Sequence, residues 1–539
     1  MLLLLPLTMP IGPMYWDAYL YLDAAHRISS GQVPNVDFDT PVGPLGYYLF
    51  TWGLALLPRA QPLLLAQWSL LVVAAPLMAI VLVEASRRSR ALAYALLLPF
   101  IIFAISPVNA QFYNSIPGVD GFGIYNRQAV LLLYVLTAGL LFLPNGRRLA
   151  CFCAAIMLAL LLTKVTGFLV GGMLCLTALL ARRIALANAL LCIALFAVAL
   201  FILELASGVV SAYLHDIVEL ATMNSSSLLP RFRTVVTNKF YIILPAALLG
   251  VVLFWIDCTR QQAIRFFDRS TVWYTLAILG GIVFETQNTG SQEFIFIWPV
   301  LVMIFLRVKS LDERARLAFL ILGAFCVVPT VTNVVYKSAR VVAVAPVYTK
   351  VDAPLLLNIQ QVSTRDDVMR RALMLDNHYA QFPRAYQHLA DQNQLPSWQF
   401  YWEIDNQMHW VVSANQMVEA FRKFESENGV KVESLMTLDF TDPFPWLLKR
   451  NATPHIQIGA DPTRTVSEMS PGAMAAVKAT DGVLRPKCPV TWARDRIEQI
   501  YSEAIRGRKV VPLNPCWDLL VRPDFPLLSK RDETDLRDN

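Results

Sequence analysis

The stretch LLLAQWSLLVVAAPLMAIVLVEASRRSR occupies residues 63–90 and decides the class of fold. Its apolar part exceeds the roughly 20 residues that an α-helix needs to cross a bilayer. It ends in Arg87, Arg88 and Arg90, and basic residues in this place are typical of the cytoplasmic end of a membrane helix. The stretch therefore predicts a membrane-spanning helix whose carboxyl end faces the cytoplasm.

Similar apolar runs recur through the first 336 residues. They occupy 61–85, 91–110, 129–144, 149–163, 165–181, 184–205, 240–256, 271–285, 293–306 and 317–336. With an apolar stub at 1–14, the runs predict about 11 transmembrane helices. The stub lacks the basic residues of a signal peptide and is short for a crossing, so we expect either a partial first helix or a start that lies upstream.

Basic clusters follow every second apolar run. They contain Arg87, Arg88 and Arg90; Arg147 and Arg148; Arg182 and Arg183; Arg260, Arg265 and Arg269; and Arg307, Lys309, Arg314 and Arg316. Because such clusters mark cytoplasmic loops, the N-terminus is predicted in the cytoplasm and everything after Tyr336 on the other side. The segments 15–60, 111–128, Lys164, 206–239 and 286–292 are predicted on that other side too.

Two stretches of the first external loop, 15–60, have helical character. Residues 43–58 are apolar, but a crossing there would move five basic clusters to the wrong side. We therefore predict an interfacial helix over 43–58 and a helix at the membrane surface over 15–30. Residues 209–239 predict a second surface helix and loop.

Composition agrees with a membrane domain followed by a soluble one. Hydrophobic residues make up 56% of the chain and charged residues only 16%, against about 25% charged in globular proteins. The net charge of +6 comes from the loop clusters, so no nucleic-acid partner is implied. We predict an α-helical polytopic membrane domain over 1–336 and a soluble extracytoplasmic α/β domain over 337–539.

The more polar domain alternates helical and strand-like patterns. Asn415–Ser426 has helical spacing, and Val430–Leu438 is typical of a strand. Its two cysteines are Cys488 and Cys516, and we expect a disulfide between them if the domain faces an oxidising compartment.

The loop YWDAYLYLDAAHRISSGQVPNVDFDTPVGP at 15–44 resembles the GT-C superfamily of polyprenyl-phosphate-sugar-dependent glycosyltransferases. It is most similar to bacterial relatives of the protein O-mannosyltransferases and of the transferase that adds aminoarabinose to lipid A. The matching residues are Asp17, Arg27, Gly31, Pro34, Asp37, Phe38, Pro41 and Pro44, together with the LTK turn that ends at Lys164. The chain departs from the family at Ala18, where a second acid is usual, and at Val42-Gly43, where a lysine is common.

The resemblance implies an inverting membrane enzyme of the bacterial inner membrane that acts on the periplasmic face. It would move a sugar from a polyprenyl-phosphate donor to a lipid, glycan or protein acceptor. Such transfer needs a carboxylate for the acceptor, and cations or a divalent metal such as Mg²⁺ or Mn²⁺ for the departing phosphate.

Candidates for each role lie on the predicted external side. Asp17 and Asp37 are the catalytic candidates; Arg27, Arg127 and Lys164 are the candidates for the donor phosphate; and Asp120 and Asn288 are candidates for acceptor or metal binding. External cations beside a membrane need an explanation, because positive charge is depleted there.

Each candidate also has a structural interpretation. Asp17 could cap its helix or pair with Arg27, Asp37 and Asp120 could be turn residues, and Arg127 and Lys164 could extend towards the headgroups. At the level of function, the alternatives are a transporter or flippase for a lipid-linked sugar, with ionisable groups in mid-helix, and a non-catalytic protein of envelope-glycan assembly. The departures at Ala18 and Val42-Gly43 keep the last alternative open.

Overall fold

The computed structural model of the protein describes residues 2–259, 265–287, 290–308, 313–392, 394, 404–466 and 469–526. Contacts divide the chain into two compact units. The mixed unit contains Met1–Thr40, Arg59–Pro62 and Ala345–Asn539, and the helical unit contains Pro41–Pro58 and Leu63–Val344. This division differs from the predicted boundary after Tyr336, because the first 40 residues group with the C-terminal part of the chain.

The helices are, in chain order, α1 Trp16–Ser29, α2 Leu45–Leu56, α3 Pro62–Ser69, α4 Leu71–Arg88, α5 Arg90–Ile105, α6 Ile124–Phe142, α7 Arg147–Thr163, α8 Val165–Leu180, α9 Leu186–Ser207, α10 Val209–Asn224, α11 Leu228–Asn238, α12 Phe240–Thr259, α13 Ser270–Thr286, α14 Trp298–Val308, α15 Glu313–Val344, α16 Asp366–Gln381, α17 Pro383–Asp391, α18 Ile404–Asn428, α19 Phe444–Leu448, α20 Pro471–Ala479 and α21 Trp492–Ile505. The strands are β1 Met9–Pro10, β2 Thr349–Lys350, β3 Val362–Thr364, β4 Ser434–Thr437, β5 Asn451–Ala452, β6 Gly482–Pro486, β7 Lys509–Asn514 and β8 Trp517–Val521.

The protein is an α-helical polytopic membrane protein, as the sequence predicted. Each of the ten apolar runs coincides with a helix. Among the described residues, five helical stretches are long and apolar enough to cross a membrane. They are Pro62–Arg88, Ile124–Phe142, Leu186–Ser207, Phe240–Thr259 and Glu313–Val344; shorter apolar helices are Leu45–Leu56, Arg90–Ile105, Val165–Leu180 and Ile295–Arg307.

Burial separates the central helix from a peripheral one. Nearly every residue of α6 is buried, and the helix packs against α4, α5, α7, α8 and α14. In α9, by contrast, none of the 22 residues is buried although the sequence is almost wholly apolar. A helix with an apolar surface on all sides is suited to lipid, so α6 lies at the centre of the helical unit and α9 at its periphery.

Contacts sort the helix ends of the helical unit into two groups. At one end, which we call the arginine end, Asp268 binds Arg183 and Arg307, and Arg88 donates to the carbonyl oxygen of Phe142. At the other end, which we call the network end, segments 106–128, 239–242, 285–297 and 330–340 contact one another. This grouping is the one that the alternating basic clusters predict.

The N-terminal stub is not the partial membrane helix that we predicted. Leu2–Leu4 forms one 3-10 turn, and β1 pairs in parallel with β3, Met9 opposite Val362. Prolines at 6, 10 and 13 remove amide donors that a helix would need. The stub therefore adds a short strand to the mixed unit. The prediction that the N-terminus and the segment after Tyr336 lie on opposite sides of the membrane is wrong, because β1 and β3 are hydrogen-bonded neighbours in one sheet.

The mixed unit is built on a five-stranded sheet with strand order β5-β4-β6-β8-β7. Strand β4 is parallel to β5 and β6, whereas β8 is antiparallel to β6 and β7. Helix α18 contains the predicted helical stretch Asn415–Ser426, and strand β4 lies within the predicted strand-like stretch Val430–Leu438. The expected Cys488–Cys516 disulfide is present, with Cα atoms 4.9 Å apart.

The first helix forms where the sequence predicted a helix at the membrane surface, but the mixed unit buries it. Ala18 and Leu22 are fully buried, and the Tyr19 ring stacks on Trp410 at a centroid distance of 4.4 Å. Its aromatic residues therefore form part of a protein core.

Candidate functional site

Arg127 lies in the first turn of α6 with its side chain wholly buried. Its amide donates to the carbonyl oxygen of Gly123, whose φ of 71° lets the loop enter the helix. The guanidinium Nε donates to Gln67 Oε1 at 2.8 Å, and Nη1 donates to Asn109 Oδ1 at 2.9 Å and to the carbonyl oxygen of Phe122 at 2.8 Å. These three contacts orient the guanidinium.

Asp120 forms a buried ion pair with Lys337 of α15. The Lys337 Nζ is 2.6 Å from Asp120 Oδ2 and also donates to the carbonyl oxygens of Asn109 and Gln111. The Asn109 amide donates to the same carboxylate oxygen at 2.7 Å. Because Asn109 also accepts from Arg127, one asparagine joins two of the predicted site residues.

Lys164 lies in extended backbone between α7 and α8, the short turn that the sequence predicted. Its Nζ donates to Asn126 Oδ1 at 2.7 Å and lies 4.7 Å from the centre of the Tyr125 ring. Asn126 precedes Arg127, so two predicted phosphate-binding cations reach the same turn of α6.

The position of Lys164 depends on a close approach of Gly43. The Gly43 amide donates to the carbonyl oxygen of Thr163 at 3.1 Å, and a Cβ on Gly43 would lie 2.2 Å from the carbonyl oxygen of Leu162. Real Cβ atoms do not approach a backbone oxygen so closely. A side chain at position 43 would therefore displace the segment before Lys164.

Two acids on either side of the turn 286–292 complete the charged groups at this end. Glu293 accepts from Lys239 Nζ at 2.5 Å and from Thr330 Oγ1 at 2.7 Å, and it is 1% exposed. Glu285 accepts from the Ser291 hydroxyl. The polar turn that the sequence singled out is therefore flanked by acidic residues, of which Glu293 forms an ion pair.

The network cluster, as we name these groups, contains Asp120, Arg127, Lys164, Lys239, Glu285, Glu293 and Lys337. Asn288, a predicted acceptor or metal residue, lies outside the described residues.

Asp17 and Arg27 lie on α1 in the mixed unit, and both are buried. Arg27 Nε donates to Asp23 Oδ1 at 2.8 Å, and its Nη1 donates to the carbonyl oxygen of Thr453 at 2.6 Å. These contacts attach α1 to β5 and the residues that follow it. Arg27 forms its ion pair with Asp23, one turn earlier on α1.

Asp37 closes a turn. Its Oδ2 accepts from the Val33 amide at 2.7 Å, and its carbonyl oxygen accepts from the His455 amide at 2.6 Å. Both contacts match the turn interpretation that the sequence left open for Asp37. A catalytic role for this residue stays a prediction.

Sequence reasoning missed Lys239, Glu285, Glu293 and Lys337 as members of the site. Each lies at or near the end of an apolar run, where a charge is costly unless it is paired or used. Listing acids beside external loops, rather than only the cations, would have found Glu285 and Glu293.

A metal ion has candidate ligands in both units. In the mixed unit, atoms of Asp376, His409 and Cys516 lie within 4.8 Å of one another, but the Cys516 sulfur is bonded to Cys488 and is not a thiolate. In the network cluster, carboxylates are the ligands that Mg²⁺ and Mn²⁺ prefer. A requirement for either ion stays a prediction.

Comparisons with known proteins give the following. No family model matches the chain, and no curated protein matches it. The structure is similar to the crystal structure of ArnT from Cupriavidus metallidurans in the apo state, with 13% identity, coverage of 96% of this chain and 95% of that chain, and a TM-score of 0.41. For the same protein bound to undecaprenyl phosphate, the identity is 14%, the coverage 95% and 94%, and the TM-score 0.42.

Proposed function

We propose that the protein is a membrane glycosyltransferase that moves a sugar from a polyprenyl-phosphate donor to an envelope acceptor on the periplasmic face of the bacterial inner membrane. The observation that carries the proposal is the meeting of Arg127 and Lys164 at the first turn of α6. Both are buried or half-buried at the ends of apolar helices, where a lipid phosphate would lie.

Arg127 and Lys164 have complementary chemistry for a phosphate. A guanidinium offers several N–H donors in a fixed plane, and an ammonium acts as a compact charge. Donors that are already oriented stabilise the charge that develops on a leaving phosphate without further rearrangement. Gln67, Asn109 and Asn126 provide that orientation.

Asp17 is the carboxylate that we assign to the acceptor. It belongs to the motif at 17–44 that resembles the glycosyltransferases, and it is 6% exposed in the first turn of α1. A carboxylate in this role deprotonates or orients the acceptor group. The contacts of Arg27 and Asp37 support structural roles, so we do not include them among the acting groups.

The arrangement favours transfer over transport of a lipid-linked sugar. A transporter is expected to hold ionisable groups in the middle of broken helices. Here Asp120 lies in the loop before α6, Lys164 between α7 and α8, and Lys239 between α11 and α12. Charge at helix ends supports a site at the membrane surface.

Reconstituted protein tests the proposal with a polyprenyl phosphate that carries a radiolabelled sugar, and with envelope acceptors from the same bacterium. We expect label in the acceptor with the wild type and with Asp352→Asn, an exposed acid on the mixed unit. Asp17→Asn keeps the shape of the side chain and removes its basicity, so transfer should fall by at least ~100-fold. Full activity of Asp17→Asn would refute the assignment of Asp17, and passage of intact donor across the bilayer without transfer would support the flippase.

A further inference from the structure

The mixed unit contains two cavities that share Arg494, which we call together the Arg494 cleft. The polar part has a volume of about 270 Å³, near the lower end of the ~300–1,000 Å³ that small-ligand pockets occupy. The aromatic part is smaller, about 50 Å³, and Trp16, Trp410 and Phe440 line it. The donor assignment uses neither part.

In the polar part, cations and carboxylates already face each other. Arg485, Lys487 and Arg494 line this part together with the carboxylates of Asp495 and Glu498, and Arg485 pairs with Glu498 at 3.1 Å. A bound phosphate would face these carboxylates as a like charge. A neutral ligand with many hydroxyl groups can instead donate to the carboxylates and accept from the cations.

In the aromatic part, two indole N–H groups have no hydrogen-bond partner among the described residues. They belong to Trp16 and Trp410, whose rings are 5.9 Å apart at 81°. Trp410 is 4% exposed. An indole N–H can only donate, and buried donors in native proteins are almost always paired, so an acceptor oxygen from a ligand would supply the partner that these two N–H groups lack among the described residues.

The walls of the cleft are held in place by the chain itself. Cys488 lines the aromatic part, and its disulfide with Cys516 ties the loop after β6 to the loop before β8. The Thr491 side chain caps α21 by accepting from the Arg494 amide. A site that is formed before binding loses less conformational entropy when it takes up a ligand.

We propose that the Arg494 cleft binds a neutral saccharide, and that this saccharide is part of the acceptor. A sugar ring matches both parts, because its hydroxyls suit the paired charges and its C–H face suits the aromatic rings. The identification as acceptor rests on the proposed function, whereas saccharide binding stands on the cleft alone.

Saturation-transfer difference NMR on the full-length protein tests the binding. The probes are methyl glycosides of glucose, galactose, mannose and N-acetylglucosamine, each alone, in a detergent without a sugar headgroup. We expect saturable transfer to at least one of them. Trp16→Phe keeps an aromatic ring and removes the N–H, and Gln387→Ala removes a half-buried amide of the polar part. Each should weaken binding by about tenfold, the effect of one hydrogen bond.

Trp255→Phe is the matched control, since Trp255 lies on α12 of the helical unit and is 58% exposed. Binding should be unchanged in it. Absence of transfer to every glycoside overturns the proposal, as does binding that Trp16→Phe and Gln387→Ala both leave intact. Line broadening of glycerol phosphate without glycoside binding would identify an anion site and overturn it too.

Lys164→Gln separates this proposal from the proposed function. It lies in the network cluster of the helical unit, so it should abolish sugar transfer and leave glycoside binding unchanged. Transfer that survives Lys164→Gln counts against the donor assignment alone. Loss of glycoside binding in Lys164→Gln counts against an independent cleft in the mixed unit.

Discussion

Basic side chains are mostly exposed at one end of the helical unit and buried at the other. At the arginine end, Arg87, Arg90, Arg148 and Arg182 are exposed, and Asp268 pairs with the half-buried Arg183 and Arg307. At the network end, Arg127 is wholly buried and Lys239, Lys337 and their acidic partners are nearly so. Exposed arginines orient a membrane chain at little cost, whereas buried charges are costly. The contrast is the one we expect if the network end holds the proposed donor site.

The largest effect is expected in a test of which side of the membrane each end of the helical unit faces. A periplasm-active reporter fused after Arg340, beyond the network end, should be active, and one fused after Arg183, at the arginine end, should be inactive. The reverse pattern would place the proposed site in the cytoplasm and remove the basis for the proposed function.

Next in size is the loss of one partner from a buried pair. Lys337→Met leaves the Asp120 carboxylate buried at 1% exposure without its cation, and such losses cost about 3–5 kcal/mol. We expect a clearly lower unfolding midpoint in detergent. Adding Asp120→Asn should recover part of the loss, because the unpaired charge is then removed.

Arg148→Met is the control from the arginine end. Arg148 is exposed in the first turn of α7, and a substitution of this kind usually changes stability by less than about 0.5 kcal/mol. Equal losses in Arg148→Met and Lys337→Met would contradict the difference between the two ends.

A smaller effect is expected where Gly43 packs on the turn before Lys164. Gly43→Ala places a Cβ 2.2 Å from the carbonyl oxygen of Leu162, and overpacking of this kind costs about 1–3 kcal/mol. Because Lys164 would move, we expect the rate of sugar transfer to fall by a larger factor than the loss of folding stability alone would cause. In the control Gly323→Ala, nothing lies within 4 Å of the added Cβ, so a gain of roughly 0.5–1 kcal/mol in α15 is expected. Thermal unfolding and transfer assays compare the pair.

Hydropathy and charge alternation predicted the helical unit well, because both follow from burial of a backbone in lipid. The ten apolar runs coincide with helices, and Arg127, Lys164 and Asp120 lie in one set of helix ends. The prediction of a partial membrane helix over 1–14 was wrong, because this segment forms a strand of the mixed unit instead. Apolar composition alone does not distinguish a segment in lipid from one in a protein core.

The partners of the site residues could not be predicted from sequence. Asp120 pairs with Lys337, 217 residues away, and Glu293 with Lys239, 54 residues away, so the pairs depend on how the helices pack. Arg27 had a plausible place in a sequence motif, yet its ion pair with Asp23 and its bond to Thr453 arise within the mixed unit. Sequence motifs identify candidate residues, but tertiary packing determines which of their charged side chains form ion pairs within the protein.

Binding of a polyprenyl phosphate is the most direct test of the account. Native mass spectrometry of the purified protein with undecaprenyl phosphate should show a bound lipid in the wild type. Lys164→Gln should weaken binding by at least about tenfold, because it removes a charge-assisted contact to phosphate, and Arg148→Gln at the arginine end should leave it unchanged. Equal binding by wild type and Lys164→Gln, or equal losses in both variants, would contradict the claim that the network end holds the donor.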